Sequence, residues 1–129
     1  MNITVKTDLN STKFKKFMFE FLPEYMLFLY LSKSDKKRIK QLDLIHGIDC
    51  NKIITYTLKH MYKTKIGNYM YTIGVNKNLK YKGQFIMELI HKITYGDLTH
   101  RGYPVLLQIF KEVSERINII YEEWLEKWQ

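Results

Sequence analysis

The chain has 129 residues, 46% of them hydrophobic and 15% aromatic, with 21 Lys or Arg against 13 Asp or Glu and a formal net charge of +8. That length fits a single domain spanning residues 1–129, and the apolar content excludes a disordered chain. Six Gly and two Pro exclude collagen-like and mucin-like classes, and the absence of Ala with 18 Lys to 3 Arg marks an A/T-rich coding sequence.

Residues 1–8 lack the apolar core and small-residue cleavage site of a signal peptide, so a product made in the cytoplasm and not exported by such a signal is expected. Ser11 is a candidate N-cap for a helix whose apolar positions Phe14, Phe17, Met18 and Phe21 follow the i, i+3, i+4, i+7 pattern. Pro23 should end or kink that helix, or begin a second one. The apolar run 17–31 is interrupted by Glu20, Pro23 and Glu24, which marks a buried or interface helix rather than a membrane span. A basic stretch, 33–40, follows. Gly47 is a break, and Asp49 or Asn51 can cap a helix over roughly 52–63, with Ile53, Ile54, Tyr56, Leu58, Met61 and Tyr62 on a broad apolar face.

After Gly67 the pattern changes. Residues 69–75 are rich in β-formers, residues 76–78 (Asn-Lys-Asn) read as a turn, and residues 79–82 alternate apolar with charged, which together predict a β-hairpin. Gly83 precedes a short helix from about 84 to 95, with Phe85, Ile86, Leu89, Ile90 and Ile93 expected inward. A Gly-bracketed polar loop leads to Pro104, which suits the first turn of the last helix. From there Leu106, Phe110, Val113, Ile117, Ile120 and Trp124 alternate spacings of four and three, the seam of a helix about 24 residues and about 36 Å long. It either lies across a sheet or bundle, or docks another subunit through Trp124 and Trp128. The fold class is therefore α+β: N-terminal helices, a central β-hairpin or small antiparallel sheet, and a long amphipathic C-terminal helix.

Charge is unevenly distributed. Residues 1–103 carry 18 Lys or Arg and 8 Asp or Glu, a net of +10, whereas residues 104–129 carry a net of −2. No acidic residue lies between Asp49 and Glu88, a span holding Lys52, Lys59, Lys63, Lys65, Lys77, Lys80 and Lys82 interleaved with Tyr56, Tyr62, Tyr69, Tyr71 and Tyr81. Such a surface can track a phosphate backbone and stack exposed bases, with Lys52, Lys59, Lys63, Lys77, Lys80 and Lys82 as the contacts. Alternatively, the lysines are solvated residues of an A/T-rich gene and the tyrosines pack the core. A third reading sets the basic body against the acidic last helix of a neighbouring copy, or against another acidic protein.

Cys50 is the single cysteine, so no intrachain disulfide forms and no oxidising compartment is required. His46, His60, His91 and His100 lack metal-site spacing, and no phosphate-binding loop, dinucleotide fingerprint or nucleophile elbow occurs. His46 and Cys50, four residues apart, are a weak Cys/His pair, and Asp97, His100 and Arg101 fit a tight turn better than a catalytic loop. No cofactor, metal or catalytic residue is expected.

Within residues 93–110 (ITYGDLTHRGYPVLLQIF), an aromatic before Gly, a short polar loop and a Pro-containing start to a final helix stand at Tyr95, Gly96, Pro104 and Phe110. This segment resembles small tail-completion and neck (head–tail connector) proteins of tailed bacteriophages. The resemblance implies a non-enzymatic virion subunit that acts by assembling with copies of itself or with other virion proteins. Tyr95, Gly96, Tyr103, Trp124 and Trp128 are then the expected assembly contacts. The alternative is a small basic nucleic-acid-binding or inhibitor protein of a phage or mobile element.

Overall fold

The computed structural model describes residues 1–7, 12–67 and 69–127, and it is α+β. Ser11 and Trp128 lie outside the described residues. The chain opens with a strand, β1 (Asn2–Lys6), which sequence reading did not assign. Ile3 and Val5 alternate there with Thr4 and Lys6, as a half-buried strand requires.

Helix α1 (Thr12–Lys16), a π-helical turn (Phe17–Phe21) and helix α2 (Leu22–Lys33) follow without a break. Pro23 explains the π-turn. Its ring has no N–H to donate and collides with the carbonyl four residues back, so the ladder widens ahead of it, and Leu22 N–H bonds to the Phe17 carbonyl. The chain continues through the proline as one helical run. Phe14, Phe17 and Met18 are buried as their spacing predicts, and α2 adds Leu22, Met26, Leu29 and Tyr30 to the core.

Helix α3 (Lys36–His46) is capped by Asp35, whose side chain accepts from Lys37 and Arg38 N–H, and ends at Gly47 with φ of 62°. Helix α4 (Cys50–Lys59) starts at Asp49, which accepts from Lys52 N–H and so is the cap. It stops earlier than expected, because residues 62 onward belong to a sheet.

That sheet corrects the expected hairpin. Strand β3 (Met70–Gly74) lies between β1 and β2 (Tyr62–Ile66) in an antiparallel order β1-β3-β2. Residues 79–82 are not its partner. Lys80–Tyr81 (β4) pairs instead with Gln84–Phe85 (β5) in a separate ribbon, across a two-residue turn in which Lys82 has φ of 50° and Gly83 of 81°. A strand as apolar as β3, with Tyr71 and Ile73 buried, gains more from two flanking strands than from one. Thr4 and Thr72 are cross-strand neighbours, with hydroxyl oxygens 2.9 Å apart.

Helix α5 (Ile86–Tyr95) buries Ile86, Leu89, Ile90 and Ile93. Phe85, expected inward, sits in the ribbon and is exposed beneath Lys80, whose Nζ is 4.8 Å from the ring centroid. The C-terminal helix is interrupted for one residue at Arg116, giving α6 (Val105–Glu115) and α7 (Ile117–Lys127). Arg116 N–H is shared between the Glu112 and Val113 carbonyls, at 3.1 and 3.3 Å, which marks a local tightening of the helix there. The seam itself holds: Leu106, Phe110, Val113, Ile120 and Trp124 are buried and Ile117 is half-buried. The core centres on α2, packed against α4 and α6, with the inner face of the sheet on the π-turn and α6. Phe14 joins them, its ring 5.0 Å from both Tyr71 and Tyr121.

Candidate functional site

The segment between α5 and α6 is an ordered loop. Gly96 leaves the helix with φ of 74° and ψ of −153°, a conformation essentially restricted to glycine. Gly96 then bridges to Arg101, and Asp97 N–H donates to the His100 carbonyl at 2.9 Å. The Asp97 side chain turns back into the loop. Its Oδ1 accepts from Thr99 N–H (2.9 Å), His100 N–H (2.8 Å) and the Thr99 hydroxyl (3.0 Å), and lies 3.2 Å from His100 Nδ1. These donors, the Thr99 amide foremost, hold the Asp97 carboxyl down to about 2.

The loop is also anchored at its base. Tyr103 N–H donates to the Ile93 carbonyl at 2.6 Å, Arg38 Nη2 to the Gly102 carbonyl at 2.7 Å, and Asp35 N–H to the Tyr103 hydroxyl at 2.9 Å. Leu98 stands at the tip with 105% relative exposure, so a fixed backbone presents a leucine entirely to water.

The expected assembly contacts divide on inspection. Tyr95 is exposed, and Gly96 closes the loop. Tyr103 is half-buried, with its hydroxyl engaged and the Arg38 guanidinium 5.6 Å from its ring. Trp124 is a core residue, 6% exposed and 5.5 Å from the Phe17 ring. Trp128 lies outside the described residues. Trp124 does reach one surface feature, an apolar cleft of about 310 Å³ between α2 and α7, lined also by Tyr25, Phe28 and Ile120 and edged by Glu24 and Glu123. Leu98 and Phe28 were not singled out from sequence. Phe28 had a signal, since it falls off the Met26, Leu29, Tyr30 face; Leu98 had none.

The lysine set also divides. Lys52 and Lys59 project from α4 beside a shallow cleft of about 390 Å³ lined by Asn51, Thr55, Tyr56 and Tyr81, and Lys52 and Lys82 line an adjoining one with Tyr81. The Tyr56 ring is 5.4 Å from Tyr81 and 4.4 Å from His60, so three lysines surround an aromatic group. Lys63 and Lys65 stand opposite Ile73 and Tyr71, on the core side of the edge strand, with Lys65 Nζ 5.5 Å from the Tyr71 ring. Inward-pointing lysines on an edge strand discourage pairing with another chain, which accounts for them without a ligand. Lys77 is in the exposed turn after β3, and Lys80 covers Phe85. Of the interleaved tyrosines, Tyr71 is wholly buried and Tyr69 is exposed.

Cys50 is buried at the start of α4, its N–H on Asp43 Oδ1 at 2.8 Å. Burial first, and the Asp43 carboxylate next, push its thiol well above the ordinary range, the opposite of an activated nucleophile. His46, at the end of α3, has its Nε2 buried without a hydrogen-bond partner, and His100 belongs to the separate 96–101 loop. Among the described residues no three His, Cys, Asp or Glu side chains group as metal ligands, and no helix is long and apolar enough to cross a membrane. The chain matches no protein-family model, no curated protein and no solved structure.

Proposed function

We propose that this chain is a non-enzymatic structural subunit of a bacteriophage particle, a neck or tail-completion component that acts by protein–protein assembly. The observation that carries the reading is the 96–101 loop. The segment with the resemblance to connector proteins is tied to itself and to α3 by hydrogen bonds, and what it displays outward is Leu98 at its tip, with Asp97, His100 and Arg101 also exposed. A backbone already fixed before binding loses little entropy when the residue it carries docks, which favours Leu98 as an interface anchor. The acid-edged apolar cleft between α2 and α7 is a second surface of the same kind.

Sedimentation velocity over a wide concentration range, with mass spectrometry of purified virions, tests the reading. Self-association, or recovery of the chain within particles, is expected. A protein that stays monomeric at high concentration and is missing from particles refutes it.

A second reading has its own support. Lys52, Lys59 and Lys82 around Tyr56 and Tyr81 form a compact basic and aromatic surface with the chemistry for phosphates and exposed bases. On this reading the triple reversal Lys52→Glu, Lys59→Glu, Lys82→Glu removes salt-dependent binding to single-stranded DNA or RNA in gel-shift titrations, and Lys63→Glu leaves it largely intact. No binding by the wild-type chain at low salt rejects direct nucleic-acid binding.

A further inference from the structure

The outer face of α4 and the β4–β5 ribbon form two clefts that lie side by side. Lys52 and Tyr81 line both of them. In the first, of about 390 Å³, Tyr56, Asn51, Thr55 and Lys59 complete the lining. In the second, of about 310 Å³, Lys82 and Gln84 do so, together with the turn that leads into α4. Tyr81 is therefore a partition with an opening on each flank, and Lys52 stands where the two openings join.

The register of the ribbon explains the partition. Lys80 lies across the ladder from Phe85 and Tyr81 from Gln84, so alternation puts Lys80 with Phe85 on one side and Tyr81 with Gln84 on the other. The Tyr81 side is the one toward α4, where the Tyr56 ring is 5.4 Å away. Charge is divided in the same way. Lys59 belongs to the first cleft alone, Lys82 to the second alone and Lys52 to both, with Lys82 Nζ 5.6 Å from the Tyr81 ring. Asp49 is the one acidic residue lining either cleft, and its Oδ1 accepts from Lys52 N–H at 3.1 Å. Three ammonium groups thus stand against one carboxylate, spaced along a line that an aromatic ring interrupts.

A phosphate-linked chain carrying planar bases matches that alternation, whereas a chain of carboxylates uses only the lysines. A duplex keeps its bases stacked on one another and cannot offer them to a ring. The geometry points to a site for a two-nucleotide step of single-stranded nucleic acid: one base on each flank of Tyr81, the linking phosphate at Lys52, and the flanking phosphates at Lys59 and Lys82. This rests on the second reading above, adds to it where the bases sit, and is independent of the assembly reading. Stacking on a ring accepts any base, so little sequence preference is expected.

The test titrates the full chain, by fluorescence anisotropy, with labelled probes of equal length. These are oligothymidylate, an abasic strand with the same phosphates and no bases, and a matched duplex; oligouridylate, run alongside, tells RNA from DNA as the strand. The wild-type chain is expected to bind oligothymidylate about tenfold or more tighter than the abasic strand or the duplex. Tyr81→Leu, its fold checked by circular dichroism, loses about tenfold on oligothymidylate and nothing on the abasic strand. Lys52→Ala lowers the slope of log affinity against log salt by about 0.7. If the wild-type chain binds oligothymidylate and the abasic strand equally, the base placement is wrong, and the phosphate-binding surface stands provided the triple lysine reversal still abolishes binding. Binding to the duplex, or to oligoglutamate, as tight as to the single strand overturns the site in favour of a duplex or an acidic protein. No binding at low salt rejects the site and the second reading together.

Discussion

Gly96→Ala separates backbone conformation from backbone crowding when compared with Gly47→Ala. Both glycines have positive φ, 74° and 62°. At Gly47 an added Cβ meets nothing within 4 Å, so alanine there costs only the left-handed strain, about 1 kcal/mol. At Gly96 the same methyl would overlap the His100 carbonyl oxygen and come within 2.5 Å of the Gly102 nitrogen and 2.7 Å of the Arg101 carbonyl carbon. All three are backbone atoms, and no rotamer change relieves the overlap. The base of the loop must open, surrendering the Asp97 N–H to His100 carbonyl bond (2.9 Å) and straining the Tyr103 N–H to Ile93 carbonyl bond (2.6 Å). Backbone strain of about 1–3 kcal/mol and two hydrogen bonds at about 1 kcal/mol each give a loss of about 3–5 kcal/mol. For a domain of this length that is a fall in Tm of about 12–18 °C, against about 4 °C for Gly47→Ala. Urea unfolding followed by tryptophan fluorescence, with thermal melts by circular dichroism, measures both. A Gly96→Ala chain no less stable than Gly47→Ala refutes the crowded-base account, and with it the fixed presentation of Leu98.

Asp97 makes the loop acid-sensitive. Its carboxyl is held to about 2, below the ordinary 3.8, so its contribution is complete above about pH 4 and is lost as pH falls toward 2. The Thr99 and His100 amide resonances should therefore titrate with a midpoint near 2, and Asp97→Asn should abolish that titration; a midpoint near 3.8 contradicts the hydrogen-bond assignment. Trp124→Ala should destabilise the monomer by about 3–5 kcal/mol, because it empties the contact with Phe17, Phe21 and Tyr121. A loss below about 1 kcal/mol in urea unfolding would show the indole outside the core. Tyr71→Phe should be neutral or stabilising by up to about 1 kcal/mol, since the Tyr71 hydroxyl is buried without a hydrogen-bond partner; a clear loss of stability means that hydroxyl is bonded.

Local chemistry made much of the helical structure legible. The four-and-three spacing from Leu106 to Trp124 is a property of neighbours on one helix, and it survives the one-residue interruption at Arg116. Asp49 could be named as a cap because a carboxylate one residue before a helix meets its free N–H groups wherever that helix sits. Pro23 could be named as a disturbance for the same reason, though whether it stops the helix or widens it depends on what packs around it.

The sequence by itself determined the α+β class, the helical faces and the concentration of positive charge ahead of the last helix. Only the tertiary structure decided which strands pair, because β1 and β3 meet across more than 60 residues and a five-residue alternation carries no address for its partner. Tertiary packing also gave Lys63 and Lys65 a place on an edge strand, put Trp124 inside and left Leu98 outside. Residue type records what a side chain gains from burial. Whether it is buried depends on which other surfaces reach it, and the Gly96–Arg101 bridge carries Leu98 beyond all of them.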